Sequence, residues 1–293
     1  MERINIEVTS RKKKKYESPD SPTSVGWTRP YTVRLADQNN PLLLDCGEKL
    51  APIDVEYEIY GKMNEKKDNV ILLLHALSGD AHAAGWDEKA EEMGRNWRID
   101  RPGWWDSMIG PGKALDTNKY CIICSNVLGG CYGTTGPVSI NPETKKPYGL
   151  DFPIVTVGDW VKLQERLISY LGIERLYAVV GGSLGGQQAL EWSLAYPHRV
   201  ERAIILASSA RLSAQGLAFN VVARNSILND KNFNNGNYYD GEFPVQGLAI
   251  ARMLGHITYL SETSMREKFG RRYRENGSRP GFHLGVDFEV ESY

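Results

Sequence analysis

The residues best suited to chemistry form the pentapeptide Gly181-Gly182-Ser183-Leu184-Gly185. A G-x-S-x-G run is common by chance, so its flanks decide what it means. Here the apolar stretch Arg175–Val180 enters it as a strand, and a helical stretch carrying Ala189, Leu190, Trp192 and Leu194 leaves it. Small residues around the serine allow strand and helix to meet across a tight turn. Such a turn drives Ser183 into an unfavourable backbone region and lifts its hydroxyl clear of the sheet. The hydroxyl then sits at a helix N-terminus, where free N–H groups favour developing negative charge. Ser183 is read as a catalytic nucleophile rather than as part of a packed glycine-rich turn.

A nucleophilic serine needs two donors for the oxyanion it creates. One is the backbone N–H of Leu184. The second is expected from the loop His75-Ala-Leu-Ser-Gly-Asp80, with Leu77 N–H as the donor. His75 ends a strand and is expected to order that loop by hydrogen bonding, not to act as the base. Cys121 and Cys124 form a C-x-x-C, but inside the strand-like run Tyr120–Ser125. Residues three apart on a strand point to opposite faces, so core packing is expected, not a thiolate pair. Asp80 and His82 are too few and too irregularly spaced for a zinc site.

The elements that must hold these residues follow from pattern. Tyr31–Ala36, Leu42–Asp45 and Ile53–Tyr60 read as strands, the last alternating apolar and acidic residues as on a sheet with one wet face. Val70–His75 is a continuous apolar strand of the kind buried in a parallel sheet. Residues 76–118 are rich in Gly, Trp and Asp and show little periodicity. Tyr120–Ser125, Arg175–Val180 and Val200–Ala207 are further strands. Val157–Gly172 is a helix, with Thr156 and Asp159 as a capping box and Gly172 as its stop. Strands alternating with helices predict a doubly wound, mostly parallel α/β sheet. The strand pattern then stops, and 213–229, 244–260 and 262–270 read as helices. The expected organisation is a flexible N-terminal arm over 1–30, a core over 31–209, a helical cap over 210–272 and a return segment over 273–293. The basic run Arg11–Lys15 is read as part of a solvated tail.

Bulk composition excludes several classes. The 293 residues carry 35 basic and 36 acidic side chains, a formal net charge of −1, which gives no footprint for nucleic acid or an anionic membrane. No apolar run approaches the roughly 18 residues of a spanning helix, and no secretory signal is expected at the N-terminus. Four cysteines are no disulfide framework, and the expected compartment is the reducing cytoplasm.

Longer blocks carry a resemblance. They include Leu74-His-Ala-Leu-Ser-Gly-Asp-Ala-His-Ala-Ala-Gly85, Pro102-Gly-Trp-Trp105, Ser125-Asn-Val-Leu-Gly-Gly-Cys-Tyr-Gly133, Gly181-Gly-Ser-Leu-Gly-Gly-Gln-Gln-Ala-Leu-Glu-Trp192, Ala210-Arg-Leu-Ser-Ala-Gln215 and Ala249-Ile-Ala-Arg-Met-Leu-Gly-His-Ile-Thr-Tyr-Leu-Ser261. Over roughly residues 30–293 the sequence resembles the homoserine O-acetyltransferase family of the α/β-hydrolase fold. The resemblance implies a cytoplasmic homodimer in methionine biosynthesis, using acetyl-CoA and L-homoserine as substrates and no bound cofactor. Ser183 would take the acetyl group from acetyl-CoA and pass it to the homoserine hydroxyl. Arg224 would bind the homoserine carboxylate.

That family carries its triad aspartate and histidine beyond the cap, after further sheet strands, whereas this sequence runs only to Tyr293. The expectation is an incomplete fold, its last strands and helices missing, nearly inactive alone unless a separate C-terminal polypeptide completes it. His198, His256 and His283 are not expected to be the base. The alternatives are a homoserine or serine O-succinyltransferase, a serine esterase, and a non-catalytic remnant.

Overall fold

Six runs of aliphatic and β-branched residues pair into one sheet: β1 (Tyr31–Ala36), β2 (Ile53–Tyr60), β3 (Val70–Leu74), β4 (Cys121–Ser125), β5 (Ala178–Gly182) and β6 (Ala203–Leu206). The computed structural model describes residues 16–272; Arg11–Lys15 and the segment 273–293, with His283, lie outside the described residues. In space the strands run β6-β5-β3-β4-β2-β1. The four centred on β3 are parallel, while β2 pairs antiparallel with both β4 and β1. The chain therefore moves from β3 to β4 on one side and returns to lay β5 on the other. Such a reversal opens a crevice at the carboxyl ends of the two strands that flank it.

The centre of the sheet is buried on both faces, which is why β3 and β4 have no polar alternation. One face is covered by helices α1 (Val157–Tyr170) and α2 (Leu184–Ala195), whose Val161, Leu167, Ile168 and Trp192 pack with Leu72, Leu74, Ile123 and Val179. α1 starts at the expected capping box, both of its reciprocal bonds being made, and Gly172 stops it at φ +69°. The opposite face is covered by the irregular stretch after β3: Ala83, Ala84, Ile109 and Leu115 pack on Ile71, Leu73, Ile122 and Val180. Residues 76–118 thus form a second layer of the core with only two-residue strands and one 3-10 turn as regular structure.

Cys121 belongs to the first of these clusters and Cys124 to the second, so their thiols lie on opposite faces. Burial pushes the Cys121 thiol up to about 11 and the Cys124 thiol well above its ordinary range. Cys46 and Cys131 are exposed. Native protein should therefore give two fast-reacting thiols in a disulfide-exchange assay, with Cys121 and Cys124 reacting only on unfolding. Rapid modification of either buried thiol would contradict the packing.

Two expectations are corrected. Glu56 and Glu58 on β2 do not face water; each is 1% exposed, because buried Arg95 and His82 meet them. The flexible arm over 1–30 does not hold for residues 16–30. Trp27–Thr28 pairs in parallel with Trp86–Asp87, and Glu17 bonds Lys113 at 3.0 Å, strapping this segment to the core. Some strands are also shorter than their patterns: Leu42–Leu43 alone pairs with Lys49–Leu50, and β6 spans only Ala203–Leu206. β6 is the outer strand of this sheet among the described residues, and Ile204, Ile205 and Leu206 are exposed on it.

The chain divides between Arg211 and Leu212 into two compact units. The unit after Arg211 contains α3 (Ala214–Leu228), α4 (Val245–Tyr259) and α5 (Glu262–Lys268), within two residues of the helical segments read from the sequence. α3 and α4 pack closely because Gly247 has no side chain; a Cβ there would stand 2.3 Å from the Ser226 carbonyl oxygen.

Candidate active site

The tight turn read from the pentapeptide is present. Ser183 sits at φ 55°, ψ −120°, between the end of β5 and the first residue of α2. This backbone conformation is costly for a residue with a Cβ and persists only where its surroundings over-determine it. They do so here. The Ser183 N–H donates to Leu206 O at 3.0 Å. The Ser183 carbonyl accepts from Gly186 N–H at 2.9 Å and from the Ser208 hydroxyl at 2.7 Å. Two glycines make the turn sterically feasible. A Cβ on Gly181 would lie 2.1 Å from Gly185 O, and one on Gly185 would lie 2.0 Å from Leu74 O. Ser183 is exposed, and among the described residues nothing hydrogen-bonds its hydroxyl.

β5 and β3 are neighbours with Gly181 opposite Leu74, so the loop leaving β3 begins beside the serine turn. That loop carries Leu77. Its turn closes through Gly79 N–H to Ala76 O at 2.9 Å, and neither the Leu77 nor the Leu184 amide donates to any acceptor among the described residues. The structure thus brings Ser183, Leu184 and the start of the Leu77 loop to the same end of neighbouring strands. Arg224 is an exposed residue of α3, in the other unit.

His75 uses both ring nitrogens. Nδ1–H donates to Ala76 O at 2.8 Å, and Nε2 accepts from Val127 N–H at 3.2 Å. A ring nitrogen that accepts an amide proton is not free to take one from serine, so His75 orders the loop. Its pKa is lowered, chiefly by burial. The unfolded chain therefore takes up the proton first as pH falls, and the contribution of neutral His75 to stability is complete above the ordinary value of 6.5 and lost below it. Urea midpoints should hold steady above that pH and drop beneath it, with a shallower drop in His75→Asn. An equally steep drop in the variant would remove His75 from the account. His198 is exposed on the turn Pro197–Arg199, and His256 Nδ1 lies 3.0 Å from Arg252 O within α4.

Sequence reasoning missed a buried amide chain behind the serine. Trp192 Nε1 donates to Gln164 Oε1 at 2.8 Å, Gln164 Nε2 to Gln188 Oε1 at 2.7 Å, and Gln188 Nε2 to His75 O at 3.1 Å. It ties α1 and α2 to the first residue of the Leu77 loop. The only signal in the sequence was a glutamine on the apolar side of each helix. Asp80 and His82 also have structural partners: Arg98 bonds Asp80 at 2.5 Å, and Glu58 bonds His82 at 3.2 Å.

Comparison with known proteins follows the same line. A family model described as the alpha/beta hydrolase fold matches residues 69–287. A homoserine O-acetyltransferase of Solidesulfovibrio magneticus is 50% identical over 277 residues, covering 94% of this chain and 68% of the relative. One from Methanosalsum zhilinae is 55% identical over 252 residues, 86% of this chain and 49% of the relative. A homoserine O-succinyltransferase of Alkalilimnicola ehrlichii is 53% identical over 271 residues, 92% of this chain and 68% of the relative. The crystal structure of an esterase superposes with a TM-score of 0.75 at 36% identity, covering 90% of this chain and 70% of that one. The chain thus spans between about half and about two thirds of the length of these curated relatives.

Proposed function

Because the chain belongs to the homoserine O-acetyltransferase family of the α/β-hydrolase fold, we propose that it moves an acetyl group from acetyl-CoA to the hydroxyl of L-homoserine, a step of methionine biosynthesis. The carrying observation is Ser183 at φ 55°, exposed at the start of α2, with the loop that carries Leu77 starting beside its turn and the Leu77 and Leu184 amides donating to no acceptor among the described residues. In this reading the Ser183 oxygen attacks the thioester carbonyl and the C–S bond breaks. CoA leaves as the thiol, and homoserine oxygen then displaces serine from the ester. The two amides stabilise the negative oxygen of each tetrahedral intermediate. No residue of this chain is assigned as the general base, and no metal or bound cofactor is invoked. Arg224 is assigned to the homoserine carboxylate, for which a guanidinium fork is well matched.

A succinyl donor is the second reading, favoured by relatives named for it, and an esterase the third, favoured by the structural neighbour. One experiment separates them. Native protein, its intact mass recorded, is given acetyl-CoA or succinyl-CoA, and the Ser183 peptide is analysed before and after L-homoserine. Acetylated Ser183 cleared into O-acetylhomoserine supports the proposal. Preferential succinylation assigns the other donor, and release to water alone assigns an esterase. An unmodified Ser183 with both thioesters overturns the acyl-serine mechanism.

The proposal extends to a cytoplasmic homodimer. Free cysteines suit a reducing compartment, and no helix among the described residues is long and apolar enough to cross a membrane. Exposed Leu217, Val222, Leu248 and Ile257 on α3 and α4 offer apolar surface for a second copy. Sedimentation of a single monomeric species at micromolar concentration would refute the dimer.

A further inference from the structure

We infer that Arg98 and Asn126 are positioning residues for the oxyanion loop, acting through a buried network that fixes the backbone carrying the Leu77 amide. The inference rests on the acyl-serine reading above and adds to it the device that holds one of its donors in place.

The loop after β3 has no ladder of its own, yet a donor to an oxyanion must be held to within about 0.5 Å. Its first residue, His75, is tied by Val127 N–H and Gln188. Its other end is tied by charge. The Arg98 guanidinium, with 3% of its side chain exposed, reaches Asp80 at 2.5 Å with one nitrogen and Asp87 at 2.7 Å with another. Asp80 Oδ1 in turn accepts from His82 N–H at 3.0 Å, and its backbone oxygen accepts from Trp104 Nε1 at 2.9 Å. The next residue is held by Asn126, whose Oδ1 accepts Ala81 N–H at 2.6 Å while its Nδ2 donates to Glu56 Oε1 at 3.0 Å. Glu56 is fixed by both terminal guanidinium nitrogens of Arg95, at 2.9 and 2.7 Å. Beyond it, the Tyr60 hydroxyl donates to Ala81 O at 2.8 Å and accepts Ala83 N–H at 2.7 Å.

Residues 80, 81 and 83 are thus each bonded to a group rooted in β2, in the residue after β4, or in the irregular second layer. Leu77 lies on the short turn between the two tied ends. In a buried setting each of these charges depends on its partner, since leaving one unpaired is strongly unfavourable. The network therefore has one low-energy arrangement, and the loop inherits it. Arg98 is suited to bridge two carboxylates because its fork presents separate donors in fixed directions, which a lysine ammonium does not.

The test uses the full chain with Arg98→Lys and Asn126→Ala, and Arg34→Met, which breaks only the exposed Arg34–Asp54 pair, as control. Asn126→Ala removes a neutral group and remains informative where Arg98→Lys fails to fold. Hydrogen exchange is read in peptides spanning 76–84 and 121–125, together with kcat and KM for acetyl-CoA. The expected result is faster exchange in 76–84 alone and a kcat lowered about a hundredfold at unchanged KM, as for a slightly misplaced catalytic group. Unchanged exchange in the loop overturns the inference, as does a loosened loop with full kcat. A rise of exchange in both peptides with kcat and KM moving together assigns a merely structural role and also overturns it. If wild-type protein fails to acylate Ser183, the proposed function falls, and loop exchange alone then decides whether Arg98 and Asn126 hold the loop.

Discussion

Ser183→Ala should abolish acyl transfer, lowering kcat by about six orders of magnitude in any preparation where the serine has its base, while leaving the urea midpoint unchanged. The size follows from the role. Removing the nucleophile of a serine triad costs about as much as removing the whole triad, because its members act as a unit. The silence in stability follows from geometry. The Ser183 hydroxyl is exposed and bonds nothing among the described residues, so its removal opens no cavity and strands no polar group. The costly φ of 55° is the same for alanine as for serine, and the bonds that impose it use backbone atoms of residue 183, which the substitution keeps. Loss of the acyl-enzyme peptide and of product, at an unaltered midpoint, is the joint readout. A variant that still transferred acetyl at a measurable fraction of the wild-type rate would remove Ser183 from the mechanism.

The parts of this site that were legible in the sequence are those whose causes are local. A G-x-S-x-G between an apolar strand and a helix can close only as a tight turn, and the structure has that turn, with Ser183 in the expected unfavourable conformation. The capping box at Thr156 and the stop at Gly172 involve atoms within a few residues of one another, and they too were readable. The alternating pattern of β2 misled for the opposite reason. Glu56 and Glu58 read as a wet face because acidic residues rarely enter a core unpaired. Their partner residues, Arg95 and His82, come from a stretch with no periodicity to announce where it packs. The same stretch hides Arg98, and the strap formed by residues 16–30 was hidden because two residues of pairing leave no pattern. Residues proposed to act chemically were therefore easier to read than those that hold the loops around them. The former need a particular local shape, and the latter only a partner, at any distance along the chain.

Gly185→Ala should be among the most damaging single-methyl changes in the core unit, at about 3 kcal/mol or more, the upper part of the range for overpacking. α2 leaves the serine turn so close to β3 that a Cβ at 185 would sit 2.0 Å from Leu74 O, 2.9 Å from Leu74 C and 3.2 Å from His75 O. All three are backbone atoms at the end of a central strand, so no side chain can rotate aside. Relief would require α2 to move off the sheet, parting Ala189 and Trp192 from their buried neighbours in the core. It would also strain the Gln188 bond to His75 O, and with it the loop that carries Leu77. Against a total stability of about 5–15 kcal/mol, the loss should appear as a lower urea midpoint and reduced soluble yield. The contrast lies three residues earlier. A Cβ on Gly182 meets nothing nearer than Leu206 O at 3.8 Å, so Gly182→Ala should change the midpoint little. Equal midpoints for the two variants would mean that helix and strand are not in the contact described. A lower midpoint for Gly185→Ala alone would place the constraint on the approach of α2 to β3, the contact that sets the serine turn beside the start of the Leu77 loop.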